Sequence, residues 1–393
     1  MPARKLTVVQ LLPALNAGGV ERSTLEIGAA LAAAGHRSIA ISARGRLVDR
    51  LVAEGSEHIP LDIGRKSLAT LRHIWTLRRL LADIRPDIVH ARSRLPAWIG
   101  WHALRGLAGA RPHFVTTVHG LNSPGRYSAI LTRGERVICV SNTLRDYVLQ
   151  HYPQLDPSRI SVIPRGIDPN EFPRGYCPTD EWRARFFAEY PQLANGKLLT
   201  LSGRGTRLKG HRDAVELLAA LCARDVNARL LLLGAREAGR EAYIEEVETL
   251  ARERGVFDRL AITPPRSDVR DVYAVSDLVL QLSTQPESFG RTVVEALSLG
   301  RPVLGYAHGG VGELLAELYP HGSVPLGAAT ALLERAIELL RAPPSVAPLE
   351  KYRLVDMQAA TLALYDQVVM QNTSSLSHND EVVGGEGRGE GGS

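Results

Sequence analysis

Two glutamates eight positions apart, Glu287 and Glu295, stand in the stretch ESFGRTVVEA (287–296), with Phe289 and Gly290 just after the first. An unbroken helix would set both carboxylates on one face, and Gly290 argues against that. The pattern predicts a loop through Glu287, Ser288 and Phe289, close backbone approach at Gly290, and a helix beginning near Arg291 or Thr292. Glu287 then stands beyond the helix N-terminus and Glu295 about one turn inside it, so the two acids can face one ligand from different heights. A second group is cationic. SGRGTRLKGH (202–211) carries Arg204 and Lys209 on a short loop among Gly203, Gly205 and Gly210. Arg grips two oxygens and Lys adds a point charge, a combination suited to a diphosphate. Carboxylates accept pairs of sugar hydroxyls, and helix N-terminal amides bind phosphate. Glu287, Glu295, Arg204 and Lys209 thus supply what a nucleotide sugar requires: one acid for a ribose, one for a hexose, and cations for the diphosphate between them.

Three further motifs carry weaker signals. NAGGVER (16–22) places Gly18 and Gly19 between a strand and a helix, either an anion-binding turn or an ordinary one. It is not GxGxxG, which weakens a nicotinamide reading. His119 closes TTVHG and either reaches a ligand or serves structurally. GYAHGGVGE (305–313) supplies Gly309, Gly310 and Glu313, which could cradle a phosphate or sugar. No HxxxH, HExxH or DxD grouping nominates a metal, so a metal-independent site without cofactor is expected.

Each of these motifs must be positioned by a strand end. KLTVVQLL (5–12), SIAIS (38–42), DIVHARS (87–93), HFVTTVHG (113–120) and RVICVS (136–141) read as strands with helical segments between them, such as 20–36. The pattern restarts with LLTLSGR (198–204), ARLLLLG (228–234), RLAITP (259–264), LVLQLS (278–283) and PVLGYA (302–307), alternating with helices such as 209–223 and 239–254. Alternation of this kind predicts α/β domains with parallel sheets. IPRGIDPNEFPRGYCP (163–178), rich in Pro and Gly, is the linker candidate. Two doubly wound domains would bind ligands in a cleft beyond the carboxyl ends of their strands. A last amphipathic helix follows near 351–370, and the polar, Gly-rich text of 371–393 reads as a disordered tail.

At 393 residues the chain exceeds what one core usually serves. Cys139, Cys177 and Cys222 are far apart and form no CxxC pair, which argues against both a disulfide framework and a zinc site and fits a reducing cytoplasm. The opening MPARKLTVVQLLPAL is too short and broken for a signal peptide, and no run is long enough for a membrane span. Residues 1–170 hold 23 Lys and Arg against 12 Asp and Glu, while the remainder holds 24 against 30. The basic half carries RKSLATLRHIWTLRRLLADIR (65–85) and HARSRLPAW (90–98), where Leu, Ile and Trp alternate with cations. That face either meets an anionic membrane and a lipid-linked acceptor, or is a buried helix with solvated arginines. RNP, KH and helix-turn-helix signatures are lacking, so no nucleic-acid partner is expected.

Taken with their order, these motifs resemble family 4 glycosyltransferases, retaining enzymes of GT-B architecture. The resemblance rests on ESFGRTVVEALSLGRPVLGYAHGGVGE, SGRGTRLKG, NAGGVER, TVHG, VICVS and IPRGID, where Arg165 replaces the more usual Asn, and it covers residues 5–370. It implies two Rossmann-like domains facing each other across a cleft: 1–165 for the acceptor, 166–350 for the nucleotide sugar, and a helix 351–370 crossing back to the first. By the same resemblance Glu295 holds the donor ribose and Glu287 the transferred sugar, while Phe289 and Gly290 present backbone amides. Arg204 and Lys209 neutralise the leaving diphosphate, Gly18 and Gly19 approach the phosphates, and His119 contacts the sugar. The implied activity is retaining transfer of a hexose-like sugar to a glycan or lipid-linked acceptor. Its setting would be assembly of lipopolysaccharide core or another surface polysaccharide, in the cytoplasm or peripheral on the inner face of the cytoplasmic membrane. Two alternatives stay open: a GT-B isomerase of the nucleotide sugar, and a catalytically silent membrane-associated subunit.

Overall fold

A computed structural model describes residues 4–16, 18–109 and 111–383. They form two compact units. The first comprises the chain up to Val140, Arg145–Ile163 and the chain from Met357; the second comprises Ser141–Leu144 and Pro164–Asp356.

The first unit is built on a parallel sheet of β1 (Thr7–Ala14), β2 (Arg37–Ala43), β3 (Glu57–Pro60), β4 (Ile88–Ala91), β5 (His113–Val118), β6 (Arg136–Cys139) and β7 (Ile160–Val162), in the order β3-β2-β1-β4-β5-β6-β7. Val8, Val9, Leu11, Ile39, Ile41, Val89 and Val115 are fully buried, as they must be in a parallel sheet covered by helices on both faces. The second unit repeats the plan with β8 (Lys197–Ser202), β9 (Ala228–Leu233), β10 (Leu260–Ile262), β11 (Leu278–Gln281), β12 (Val303–Tyr306) and β13 (Ser323–Val324), ordered β10-β9-β8-β11-β12-β13. Strand order reverses between β1 and β4 in the first sheet and between β8 and β11 in the second. At such a switch point the two connections leave in opposite directions and open a crevice beyond the strand ends.

The strands that the hydrophobic pattern does not predict are β3, β7 and β13. Each is short and lies at a sheet edge, where one side of the ladder is unpaired and no long apolar run is needed.

The last helix runs Leu354–Val383. Tyr365 is buried and its hydroxyl meets His90 Nδ1 at 2.6 Å, while Gln358 Nε2 donates to the Glu26 carbonyl at 2.8 Å; both partners belong to the first unit. The helix continues past Gln371, where a tail is expected, because 372–383 contains no Pro or Gly to end it. The rest of that tail, 384–393, lies outside the described residues. A second correction concerns HARSRLPAW: His90 and Arg92 are only 0% and 3% exposed and belong to the core. Among the described residues no helix is long and apolar enough to cross a membrane.

Candidate active site

In the second unit the loop after β8 and the loop after β11 flank the switch point, and glycines allow them to touch. Gly210 is left-handed (φ 75°), and a Cβ there would sit 1.9 Å from the Leu282 carbonyl oxygen. No side chain fits at that point. Thr284 N donates to the Leu208 carbonyl at 2.9 Å, stitching the same two loops. The result brings Lys209, at the end of a single 3-10 turn, against Glu287: Nζ and Oε1 are 2.5 Å apart, with the side chains 27% and 21% exposed.

Glu287 is held from several directions. The Ser283 hydroxyl also donates to its Oε1 and lies 3.0 Å from Gln281 Oε1. Gln281 Nε2 in turn donates to Thr292 Oγ1 at 2.9 Å, and His308 Nε2 lies 2.6 Å from the Ser283 carbonyl. The glycine pair of the next loop supports the backbone. Gly310 N donates to the Glu287 carbonyl at 2.7 Å, and a Cβ on Gly310 would come within 2.6 Å of Phe289 Cα. Gly309 and Gly310 are therefore a buttress under 287–289. Glu287 Oε2 makes no hydrogen bond among the described residues, which leaves that oxygen available as an acceptor.

The helix Arg291–Ser298 starts where the sequence places it, after Gly290 at φ 107° and with no side-chain cap. Its first amides are thus oriented for an anion or a hydroxyl. Phe289 is an anchor, 4% exposed with its ring 5.7 Å from that of Tyr352. Glu295 is 6% exposed and accepts from Arg291 Nε at 3.1 Å, one turn back on the same helix. Tyr273, fully buried, has its hydroxyl pKa pushed up by burial first and then by the charges of Glu295 and Glu287, so both carboxylates lie near one phenol. Arg204 is exposed, and its side chain makes no ion pair among the described residues.

In the first unit Gly18 and Gly19 open the helix Gly19–Ala33 after β1, with Gly18 at φ 144°. Its missing Cβ would fall 2.6 Å from Glu21 Oε2, so an incoming anion shares this helix end with a carboxylate. His119 follows β5 and is half-buried. Glu313, a candidate for sugar or phosphate, is otherwise occupied: within the second unit it accepts from Asn142 Nδ2 at 2.7 Å and from Thr143 N at 3.0 Å.

The fold brings Lys209 and Glu287 together, sets Arg204 on the same loop as Lys209, and seats Phe289, Gly290 and Glu295 on the adjoining loop and helix. Gly18, Gly19 and His119 belong to the other unit. Sequence reasoning passes over Ser283, Gln281, His308 and Tyr273; Ser283 sits only four residues before Glu287, a spacing that could have marked it.

Two family models match the chain: Glycosyltransferase Family 4 over residues 17–171 and Glycosyl transferases group 1 over 183–353. A D-inositol 3-phosphate glycosyltransferase of Xylanimonas cellulosilytica is 30% identical over 249 residues, 57% of this chain and 56% of that one. The N-acetyl-alpha-D-glucosaminyl L-malate synthase of Bacillus anthracis is 27% identical over 65% of each. The chain spans between 40% and 65% of the length of the first curated relatives it matches. A glycosyltransferase from Rickettsia africae superposes with a TM-score of 0.81 at 26% identity, covering 93% of this chain and 99% of the other. HepE of Anabaena, solved with UDP and glucose, gives 0.71 at 20% identity over 95% and 99%. The fold is GT-B, with two Rossmann-like domains.

Proposed function

The chain belongs to glycosyltransferase family 4, and from that premise we propose that it moves a sugar, with retention, from a nucleoside-diphosphate sugar to a glycan or lipid-linked acceptor. The observation that carries this reading is the partly buried Lys209–Glu287 pair at the switch point of the second domain. Each side chain keeps about a quarter of its surface in solvent, so the pair can exchange partners for a ligand without stripping either charge of all its hydration. Arrival of the donor diphosphate draws Lys209 and Arg204 to the phosphates and frees Glu287 to accept from a hydroxyl of the transferred sugar. Charge develops on the departing diphosphate as the glycosidic bond breaks, and preorganised cations there lower the barrier most. Arg204 and Lys209 meet that demand without a metal ion.

Retention follows a same-face displacement in which the acceptor hydroxyl attacks the anomeric carbon and passes its proton to the departing phosphate oxygen. Glu287 is then an orienting group, and the two-carboxylate logic of glycoside hydrolysis does not apply. Glu295 takes the ribose, exchanging Arg291 for its hydroxyls. The amides of Phe289 and Gly290 face the donor, Gly18 and Gly19 approach the phosphates, and His119 contacts the sugar. The setting is the cytoplasm, in assembly of a surface polysaccharide such as lipopolysaccharide core; WaaG, named for lipopolysaccharide biosynthesis, shares the fold at a TM-score of 0.63.

A second reading gives the first domain a small anionic acceptor. It is favoured by the names of the inositol-phosphate and malate relatives and by the excess of Lys and Arg in residues 1–170.

Calorimetry and thermal shift against UDP-, GDP- and ADP-sugars test the donor site, followed by product anomer assignment by NMR. Stabilisation by one nucleotide that is lost in Lys209→Ala and Arg204→Ala supports the reading. Turnover of the nucleotide sugar without acceptor would favour an isomerase, and no binding by any donor would favour the silent subunit.

A further inference from the structure

Among the described residues, four that are not glycine have a left-handed backbone: Arg85, Asn195, Asp225 and Tyr352. Arg85 closes a helix, and Asn and Asp tolerate that region through their short polar side chains. Neither reason applies to Tyr352, at φ 61°. A bulky residue persists in that conformation only where its surroundings over-determine it. Within the second unit they do so from three sides. The linker pins the backbone: Ile167 N donates to the Tyr352 carbonyl at 2.9 Å, Leu354 N donates to the Ile167 carbonyl at 2.7 Å, and a Cβ on Gly166 would meet the Arg353 carbonyl oxygen at 2.4 Å. The hydroxyl donates to Glu317, whose other oxygen pairs with Lys351. The ring lies against that of Phe289, with centroids 5.7 Å apart and planes tilted by 56°.

These contacts close on one helix, Gly309–Leu318. At its start Gly310 lies under the Phe289 backbone, and Val311 Cγ2 stands 2.8 Å from where a Cβ on Gly290 would be. Near its end, about 10 Å further along the axis, Glu317 holds the Tyr352 hydroxyl. One end of the helix thus supports the loop backbone, and a tyrosine tied to the other end supports the Phe289 ring. We infer that Tyr352 is a positioning residue for transfer: its ring, locked by the linker and by Glu317, sets Phe289 and so aims the amides of Phe289 and Gly290. The inference rests on the reading that this loop faces the donor. Burial of Phe289 alone would be met by any apolar side chain on a relaxed backbone, whereas a tilted aromatic pair is directional and fixes the orientation of the ring as well as its depth.

The test compares Tyr352→Gly, which accepts the left-handed backbone but removes the ring, with Tyr352→Phe, which keeps the ring and removes the hydroxyl. In the full chain without ligand, hydrogen exchange follows the Val293 and Gly310 amides, which donate to the Gly290 and Glu287 carbonyls. Tyr352→Gly should speed exchange there at least about tenfold while β8 and β9 keep their protection; a general loss of stability would speed both. The second readout uses whichever of UDP-, GDP- or ADP-glucose the wild type binds, with water in place of the acceptor, so that hydrolysis yields glucose and the nucleoside diphosphate. Tyr352→Gly should lower kcat for this hydrolysis about tenfold with donor Kd within about twofold, because Arg204, Lys209 and Glu295 are untouched. Tyr352→Phe should stay within about threefold of wild type, and adding Phe289→Leu to Tyr352→Gly should cost no more than about twofold further, since both remove one contact. Unchanged local exchange in Tyr352→Gly overturns the inference and leaves the transfer reading standing, as does faster exchange with an unchanged kcat. An equal loss in Tyr352→Phe also overturns it, because the hydroxyl rather than the ring would then be responsible. Binding of none of the three donors by the wild type would instead sink the transfer reading, and the role of Tyr352 in it.

Discussion

The two sheets reverse at equivalent points, yet the polar groups gathered there live under opposite conditions. In the first domain Arg92 is 3% exposed and donates to Gln10 Oε1 at 2.7 Å and to Ser23 Oγ at 3.1 Å, while His90 is fully buried between Tyr365 and Thr117, at 2.6 Å from each hydroxyl. Most of these groups satisfy one another, with Arg92 Nη2 left buried without a partner among the described residues, and desolvation penalises any rearrangement. In the second domain Lys209 and Glu287 remain about a quarter exposed, and Arg204 is open to solvent. Water already solvates part of each charge, so partners can be exchanged at small cost. One topology therefore serves two ends. A buried network fixes the final helix to the first domain, and in the second an open pair stands where a charged ligand is proposed to bind.

The sharpest way to break that contrast is Glu287→Ala. If the pair is functional, transfer should fall about a thousandfold, roughly 4 kcal/mol on the barrier, a magnitude typical of losing a preorganised polar contact to the reacting group. Stability should change by no more than about 1 kcal/mol, since the pair is partly exposed. Initial rates and a thermal melt read the two effects separately. A well-folded variant with wild-type rates would remove Glu287 from the site.

Arg92→Leu should do the reverse. Gln10 and Ser23 would be left buried without their donor, and an unsatisfied buried group costs about 1–3 kcal/mol each, so a loss of roughly 3–4 kcal/mol is expected in urea melts. Donor affinity, read by calorimetry on the folded fraction, should be unchanged. A variant that keeps its stability but loses donor binding would make the first-domain network part of the ligand site and erase the contrast.

Each domain also buries a histidine near its switch point, which allows a comparison by pH. His211, fully buried at the start of the helix after Gly210, has its pKa held down to about 4 from an ordinary 6.5, with burial the main cause. The native state then binds fewer protons than the unfolded chain at acid pH. The stability this provides is fully present above about pH 6.5 and is lost as pH falls from there towards 4, about 3 kcal/mol in all. His90 is held well below its ordinary value in the same direction, by burial and then by Arg92. His211→Gln should flatten the acid limb of stability against pH only by its own share, leaving that of His90. An unchanged limb in denaturant melts across this range would show that His211 is not buried neutral.

How much of this is legible in the sequence follows from what each feature depends on. Central strands declare themselves by apolar runs such as VVQLL and LLLL, because burial on both faces demands them, whereas the edge strands β3, β7 and β13 carry no such demand. Gly290 and the start of the helix at Arg291 are readable because a left-handed glycine before a helix is a local property. The neighbourhood of Lys209 and Glu287 can be anticipated as an inventory of charges but not as a pair, since it depends on the Gly210–Leu282 approach between loops 72 residues apart in the chain. Arg92 reads as a surface cation by type. Its partner Gln10 lies on another strand, and Tyr365 beside His90 comes from the far end of the sequence, so no local pattern could announce their burial.

The smallest expected effect concerns Ser283. Its hydroxyl and Lys209 both hold Glu287 Oε1, so together they fix the carboxylate plane and leave Oε2 outward. If, as proposed, the donor diphosphate draws Lys209 away, Ser283 becomes the main side-chain restraint on Glu287, with Gln281 and His308 keeping it in place. Ser283→Ala should therefore lower kcat about tenfold, about 1.4 kcal/mol, the size of one misplaced hydrogen bond. KM for the donor should stay within about twofold, because the cations proposed to bind the diphosphate are untouched. Ser283→Thr keeps the hydroxyl and should recover most of the rate. An equal rise in KM instead would mean that Ser283 shapes the donor-binding loop as a whole, and an unchanged kcat would mean that Glu287 is positioned by its backbone contacts to Gly309 and Gly310 alone. Either outcome would reduce the second domain's open pair to a surface ion pair and shift the weight of the comparison to the loops beneath it.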